Sequence, residues 1–426
     1  MFRTTVVFLC LSMLCSVAFA ADQAPAKAAV SVDWVPAGLP AAPANGPALC
    51  QGNFLKPEQG KAVLDAALER FPDRDSWDSY AQHVRQRIQQ GAGLDPWPRR
   101  TPLNPIVRDR RDHDGYSVEN VAFESVPGYF VTGNLYRPAN AKPPFAVILS
   151  THGHAKKITK PEDYDNHARF APYMQQRCST LARMGAVVFA VDMFGLGDSI
   201  QQVGQEAHRH PFSMTIQTWD NMRALDFLLS LEGADPKRVG VTGESGGGTQ
   251  TFVLTALDPR VTLDVPVVMV SSYFFGGCPC ESGMPIHRSA DHFVNNAMIA
   301  ALAAPRPMLV ISDGKDWTQN VPEIEYPFLQ KIYTYYGAEK NVVNVHRPDE
   351  GHDYGPTKRD AMYRFVAERF GLNLAAVLDS AGKIDESQNA VEKSGPMHVF
   401  NEANPLPAHA LKDAAAVEAA LHNLQK

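Results

Sequence analysis

The chain has 426 residues, 45 % of them hydrophobic and 20 % charged, and a formal net charge of −6. This length suits one large α/β domain with extensions or two domains, and the hydrophobic content is normal for a globular protein. The lysines and arginines are dispersed along the chain and leave no basic face to hold phosphates. We therefore predict that nucleic acid is not a partner.

The first twenty residues have the pattern of a secretory signal peptide. Arg3 precedes an apolar stretch from Val6 to Leu14, and Ala18-Phe19-Ala20 provides a small-residue cleavage site. The apolar stretch is too short to span a bilayer comfortably, so an uncleaved anchor is the weaker alternative. No later segment is apolar enough to cross a membrane. The mature protein is expected to be exported, either to the periplasm or to the medium, with no membrane attachment.

Export determines how the cysteines are interpreted. Once the signal is removed, Cys50, Cys178, Cys278 and Cys280 remain in an oxidising compartment, where two disulfides have three possible connectivities. A ring closed between Cys278 and Cys280 would be strained, so we expect both to be oxidised with distant cysteines. Their Cys-Pro-Cys spacing is not typical of zinc sites, and the nearby sequence lacks further ligands. No metal and no organic cofactor are predicted.

The region before the main fold is predicted to be a leader followed by a helical cap. Residues 21–50 are rich in Ala and Pro and read as an extended leader. Residues 57–90 have helical periodicity, with Asp75 as a start signal for the second half. A proline-rich linker at 96–105 then ends the region, so the N-terminal segment is assigned to 21–115.

Alternating strands and helices follow this linker. An antiparallel pair is predicted at 118–125 and 129–136, and further strands at 145–150, 187–191, 239–242, 267–270, 308–311 and 344–346. The strand at 267–270 is placed just after Pro266 because proline is tolerated at the start of a strand but not in its middle. Helices are predicted at 173–184, 218–231, 248–257 and 360–370. The pattern indicates an α/β fold, a mainly parallel sheet covered by helices on both faces, at 116–373, followed by a helical tail at 374–426.

Residues 239–250, VGVTGESGGGTQ, place a serine between a strand and a helix. A serine at such a turn has a strained backbone, and Gly243 and Gly247 lie two residues before and after Ser245. This is the G-x-S-x-G pattern in the context that a nucleophile requires. Taken alone, the pattern fits an ordinary glycine-rich turn equally well.

Other polar residues follow neighbouring strands, where the carboxyl ends of a parallel sheet meet. His154 lies in the turn after 145–150, Asp313 and Asp316 follow 308–311, and His352 follows 344–346. His208 lies in a polar stretch that we interpret as solvated. Nucleophile, acid and histidine, each after its own strand, are in the chain order of α/β-hydrolases.

These motifs resemble the α/β-hydrolase superfamily, including the D-x-x-G-x-G-x-S turn at 192–199. The core from 118 to 370 is similar to exported dienelactone-hydrolase-like and acetyl xylan esterase-like proteins. The resemblance implies that Ser245 is the nucleophile, His352 the general base and Asp316 the acid. It also implies an oxyanion hole formed by the N–H groups of Gly246 and His154. Dienelactone hydrolases proper use a cysteine where this chain has serine, so that reaction is not implied.

The resemblance implies a serine carboxylic-ester hydrolase that acts on a small-molecule or carbohydrate ester such as acetylated xylan. The alternatives are a glucuronoyl-type esterase, favoured by Glu281-Ser282-Gly283, a serine peptidase on the same fold, and a binding module descended from a hydrolase. Asp313 and Glu281 compete with Asp316 for the role of the acid.

Overall fold

A nine-stranded sheet is the central feature of the chain. The structure is a computed structural model that describes residues 31–40, 52–53, 55–282, 284–289 and 291–426. The strands are β1 (Gly52–Asn53), β2 (Ile106–His113), β3 (Tyr116–Val126), β4 (Tyr129–Pro138), β5 (Phe145–Ser150), β6 (Val187–Val191), β7 (Ala234–Glu244), β8 (Leu263–Val267), β9 (Phe274–Gly276), β10 (Arg288–Ser289), β11 (His292–Phe293), β12 (Met308–Asp313) and β13 (Val342–Arg347). The helices are α1 (Pro57–Arg70), α2 (Arg74–Gly91), α3 (Pro172–Arg183), α4 (Ser199–Val203), α5 (Ser213–Ser230), α6 (Gly246–Leu257), α7 (Met284–His287), α8 (Asn296–Ala300), α9 (Glu325–Thr334), α10 (Pro356–Phe370) and α11 (Ala414–Asn423). The predicted signal peptide and Cys50 lie outside the described residues.

The strands of the large sheet follow the order β13-β12-β8-β7-β5-β6-β4-β3-β2. The six from β13 to β6 are parallel, and β4, β3 and β2 add an antiparallel edge. Parallel strands need cover on both faces, which explains why β5, β6 and β8 are almost continuously apolar and buried. The predicted mainly parallel sheet is confirmed. Strand β2 was not predicted.

Helices cover both faces of this sheet. In β6, Val188 and Ala190 pack in one cluster with side chains of α3 and α10. Phe189 lies between them and points to the other face, where its ring centroid is 5.5 Å from that of Phe227 in α5. Successive strand residues face opposite sides, so α3 and α10 lie on one face and α5 on the other.

Strand β8 lies upstream of its predicted position. It ends at Val267 and contains Pro266, which was expected to precede the strand. Its pairing with β12 occurs at Asp264 and Val267 and skips the proline, whose nitrogen has no hydrogen to donate. The prediction of a strand at 267–270 was wrong. Because β12 does not pair with Pro266, the proline can lie inside this central strand.

The N-terminal helices pack against the part of the chain that carries the large sheet. Helix α2 begins after Asp73, whose carboxylate accepts a hydrogen bond from Ser76 N at 2.9 Å, so the start signal is Asp73 rather than Asp75. Tyr80 of α2 donates to Phe293 O at 2.8 Å. Residues 31–426 accordingly form one compact unit.

The C-terminal tail is less helical than its composition indicated. All of 374–426 is described, and its one α-helix is α11; glycines and prolines interrupt the remainder. His398 bonds to the buried carboxylate of Asp198, and Val399 N donates to the same carboxylate at 2.7 Å. Arg169 donates to Asp198 at 2.7 Å and to Asp192 at 2.9 Å. The tail therefore adds two hydrogen bonds to Asp198 in the D-x-x-G-x-G-x-S turn.

None of the described helices combines the length and the apolar character needed to cross a membrane.

Candidate active site

Ser245 occupies the sharp turn between β7 and α6. Its φ of 55° and ψ of −123° are sparsely populated for a residue with a side chain, and such strain is typical of functional turns. A Cβ on Gly243 would lie 2.1 Å from Thr151 Oγ1, and one on Gly247 would lie 2.8 Å from His152 O. The prediction that both flanking positions exclude side chains is confirmed.

His352 and Asp316 contact each other beyond the ends of β13 and β12. The distance from His352 Nδ1 to Asp316 Oδ2 is 2.6 Å. Asp316 is buried, and its other oxygen accepts from the backbone N and the hydroxyl of Thr318, each at 2.6 Å. The Trp317 ring centroid lies 4.5 Å from that of His352. These contacts fix the carboxylate and leave the imidazole partly accessible.

The two competing carboxylates have other partners. Asp313 accepts a hydrogen bond from Lys358 Nζ at 2.8 Å, and both side chains are fully buried. Glu281 lies 3.5 Å from His154 Nδ1 and accepts from Gly277 N at 2.6 Å. Of the three candidate acids, Asp316 is the one that contacts His352.

Ser245 and His352 line the same cavity, which has a volume of about 460 Å³. The other lining residues are Gly153, His154, Tyr173, Glu244, Asp353, Tyr354, Gly355, Pro356 and Arg359. No hydrogen bond joins Ser245 to His352 among the described residues; in ligand-free sites such bonds are frequently long. The volume of the cavity lies within the range of small-molecule binding sites.

A buried ion pair supports the serine turn, and the sequence analysis missed it. Glu244 pairs with Arg177 at 2.7 Å and accepts hydrogen bonds from Tyr173 Oη at 2.8 Å and Gly153 N at 2.7 Å. Arg177 also donates to Thr151 O at 2.7 Å. The pair thus ties the turn at Ser245 to the loop at 151–154. Glu244 lies next to Ser245 in the sequence, but nothing there indicates that its partner comes from α3.

Replacing Glu244 with alanine is expected to lower the free energy of unfolding by about 3–5 kcal/mol, because the fully buried Arg177 would lose its counter-charge. Urea denaturation monitored by circular dichroism measures the change. The matched control is Asp65→Ala, which removes an exposed pair with Lys61 and is expected to cost about 1 kcal/mol or less. Equal effects of the two substitutions would contradict the structural role of Glu244.

His152 is a neutral, structural histidine. Its Nδ1 donates to Gly153 O at 2.7 Å, and its Nε2 accepts from Met193 N at 3.2 Å. Burial lowers its pKa to about 3, which agrees with the neutral tautomer that these two bonds require. His152 therefore shapes the loop that carries His154 without taking part in proton transfer.

The environment of Cys278 and Cys280 differs from the prediction. Both are thiols in the structure, as is the buried Cys178. They lie beside His154 and His208, with one ligand atom of each residue within 4.8 Å of all the others. The expectations that these cysteines are oxidised, that they lack further ligands and that His208 is solvated were wrong. The ligands come from segments far apart in sequence, so local spacing could not reveal them.

A parallel sheet with a serine at the strand–helix turn and candidate partners at the ends of later strands is the α/β-hydrolase fold, and the chain is a hydrolytic esterase of this superfamily. It belongs to the same family as methylesterase BT1017, with 40 % sequence identity and a TM-score of 0.77 over 87 % of this chain and 81 % of that one.

Other comparisons agree with this family. The family model described as acetyl xylan esterase (AXE1) matches residues 106–274. The putative hydrolase YtaP of Bacillus subtilis is 25 % identical over 265 residues, 57 % of this chain and 83 % of that protein. The 4-O-methyl-glucuronoyl methylesterase of Neurospora crassa is 26 % identical over 196 residues, 38 % of this chain and 49 % of that protein. The predicted resemblance to acetyl xylan esterase-like α/β-hydrolases is confirmed.

Proposed function

We propose that the chain is a carbohydrate esterase that removes methyl groups from esterified uronic acid residues. The observation that carries the proposed chemistry is the hydrogen bond between Asp316 and His352, beside a cavity that both His352 and Ser245 line. The substrate class is supported by the relationship to a methylesterase over most of both chains and by the weaker similarity to a glucuronoyl methylesterase.

In the proposed mechanism, Ser245 Oγ attacks the ester carbonyl while His352 accepts its proton. Asp316 holds the imidazole with Nδ1–H toward its carboxylate, so that Nε2 is available as the base, and stabilises the imidazolium that forms. His352 then gives this proton to the methoxy oxygen as its bond to the carbonyl carbon breaks, which releases methanol and leaves the acyl-enzyme. A water molecule attacks the acyl-enzyme by the same proton transfer, releasing the free uronic acid and regenerating Ser245.

The oxyanion of each tetrahedral intermediate requires donors that are already in place. Gly246 is the first residue of α6, where backbone N–H groups have no partner within the helix. His154 lies close to it: a Cβ on Gly246 would be 3.1 Å from His154 Cε1. The N–H groups of Gly246 and His154 are the proposed oxyanion hole, each worth about 2.7–4 kcal/mol in the transition state by comparison with known sites.

Acetylated xylan is the second candidate substrate, favoured by the family model that matches residues 106–274. In a methyl uronate the small group that leaves is the alcohol, whereas in an acetylated sugar it is the acyl group. The same serine chemistry serves both, and the orientation of the sugar relative to Ser245 distinguishes them.

A substrate panel tests the proposal on the mature chain, prepared without the twenty residues of the predicted export signal. We expect kcat/KM for methyl glucuronate, measured by methanol release, to exceed that for acetylated xylan, measured by acetate release, at least about tenfold. A dipeptide anilide should not be cleaved. The reverse preference would assign acetyl esters, cleavage of the anilide would assign a peptidase, and turnover of no ester would leave a binding module.

A further inference from the structure

Four metal-binding side chains from three separate segments meet beside the candidate active site. His154 lies in the loop after β5, His208 in a 3₁₀ turn at 205–209, and Cys278 and Cys280 in the loop after β9. Cys280 Sγ lies 3.1 Å from His154 Nε2 and 3.3 Å from His208 Nε2. Both cysteines and His208 are buried, and His154 is partly exposed.

The spacing of these atoms suits one tetrahedral ion. Zinc bonds of about 2.3 Å to sulfur and 2.0–2.1 Å to nitrogen place neighbouring ligand atoms about 3.3–3.8 Å apart. The two Cys280–histidine distances are within a few tenths of an ångström of that range, and all four atoms lie within 4.8 Å of one another. Two thiolates and two imidazoles form a soft donor set that favours zinc over magnesium or calcium.

The second nitrogen of each histidine lies near an oxygen that can accept its hydrogen. His208 Nδ1 lies 2.9 Å from Phe194 O, and His154 Nδ1 lies 3.5 Å from a carboxylate oxygen of Glu281. A hydrogen on each Nδ1 leaves the lone pair of each Nε2 directed at the cysteines. Outer partners of this type orient the histidines in metal sites, and a carboxylate or a backbone carbonyl is the usual choice.

We propose that His154, His208, Cys278 and Cys280 bind a structural zinc ion. All four positions are filled by protein, so no position is open for a reactive water, and binding releases the two thiol protons. The ion joins the loop that carries His154 to the loop after β9, next to the turn of Ser245. Binding of the ion does not depend on the proposed esterase function.

Metal analysis of the purified mature protein, prepared without a polyhistidine tag, tests the site. The protein is incubated with zinc, and unbound zinc is removed. Elemental mass spectrometry of the protein is then expected to find about one zinc ion per chain. The double variant Cys278→Ser/Cys280→Ser should lose at least about nine-tenths of it, and His208→Gln should weaken it. The matched control, Cys178→Ala, alters the buried cysteine outside the cluster and should keep the full zinc content.

Two measurements on the unmutated protein test the zinc site even if a variant fails to fold. Replacement of zinc by cobalt(II) should give the thiolate charge-transfer absorption and visible bands of a tetrahedral ion. Bound zinc should protect two thiols from alkylation, and a chelator should expose them. Zinc content no higher than in the double variant, an octahedral cobalt spectrum, or a disulfide at Cys278 or Cys280 in the isolated protein would overturn the proposal.

Discussion

Ser245→Ala is expected to lower kcat by about 10⁶-fold toward methyl and acetyl esters alike, because loss of the nucleophile in a triad removes nearly all of its combined effect. Alanine keeps the Cβ, and Ser245 N still bonds to Val267 O at 3.1 Å, so the strained turn is retained. The melting temperature should therefore stay close to that of the unmodified protein. Initial rates of methanol release, measured at high enzyme concentration, give the size of the loss.

A fluorophosphonate probe provides an independent check on the nucleophile. It should label the unmodified protein at Ser245, as read by peptide mass spectrometry, and fail to label the alanine variant. The matched control is Ser230→Ala at the end of α5, where the hydroxyl bonds to Phe227 O at 2.7 Å, and this variant should keep full labelling and activity. Labelling at Ser282 in an active enzyme would show that Ser245 is not the nucleophile.

Asp316→Asn is expected to lower kcat by about 10⁴-fold while the fold is preserved. An amide nitrogen beside His352 Nδ1 favours the tautomer with its hydrogen on Nε2, which can no longer accept a proton from the serine. The oxygen of the amide can still accept the two bonds from Thr318. Steady-state kinetics with methyl glucuronate measures the change in kcat, and circular dichroism measures the folded fraction.

Asp349→Asn is the matched control, since this exposed carboxylate lies three residues before His352 and should not affect turnover. Asp313→Asn removes the buried carboxylate partner of Lys358 and leaves it the more exposed Asp353, so its expected effect is on stability. If Asp316→Asn stays within about tenfold of the unmodified enzyme and folded Asp313→Asn or Glu281→Gln loses its activity, the acid has been assigned to the wrong residue.

The parts of the fold that sequence reasoning identified depend on local patterns. Short apolar runs separated by helical periodicity are sufficient to predict a parallel sheet, and strand ends indicate where polar loops meet. Ser245, Asp316 and His352 could be selected as candidates because each follows its own strand. Their catalytic roles remain predictions that the substitutions above test.

The features that sequence reasoning missed depend on contacts between distant segments. His154, His208 and Cys280 come together only after three loops have folded over the sheet, so no spacing rule connects them. Pro266 was expected to precede a strand at 267–270, but β8 contains it because the pairing with β12 is interrupted there. Arg177 reaches Glu244 from a helix on another part of the chain.

The hydrogen bonds from His398 and Val399 to Asp198 can form only after these late residues of the chain have been synthesised. His398 and Val399 leave the ribosome after every strand of the sheet has been made. Before that moment Asp198 has Arg169 as a partner but lacks two of the donors that satisfy its buried carboxylate. A nascent chain therefore cannot reach its final stability until His398 and Val399 have been synthesised and have reached Asp198.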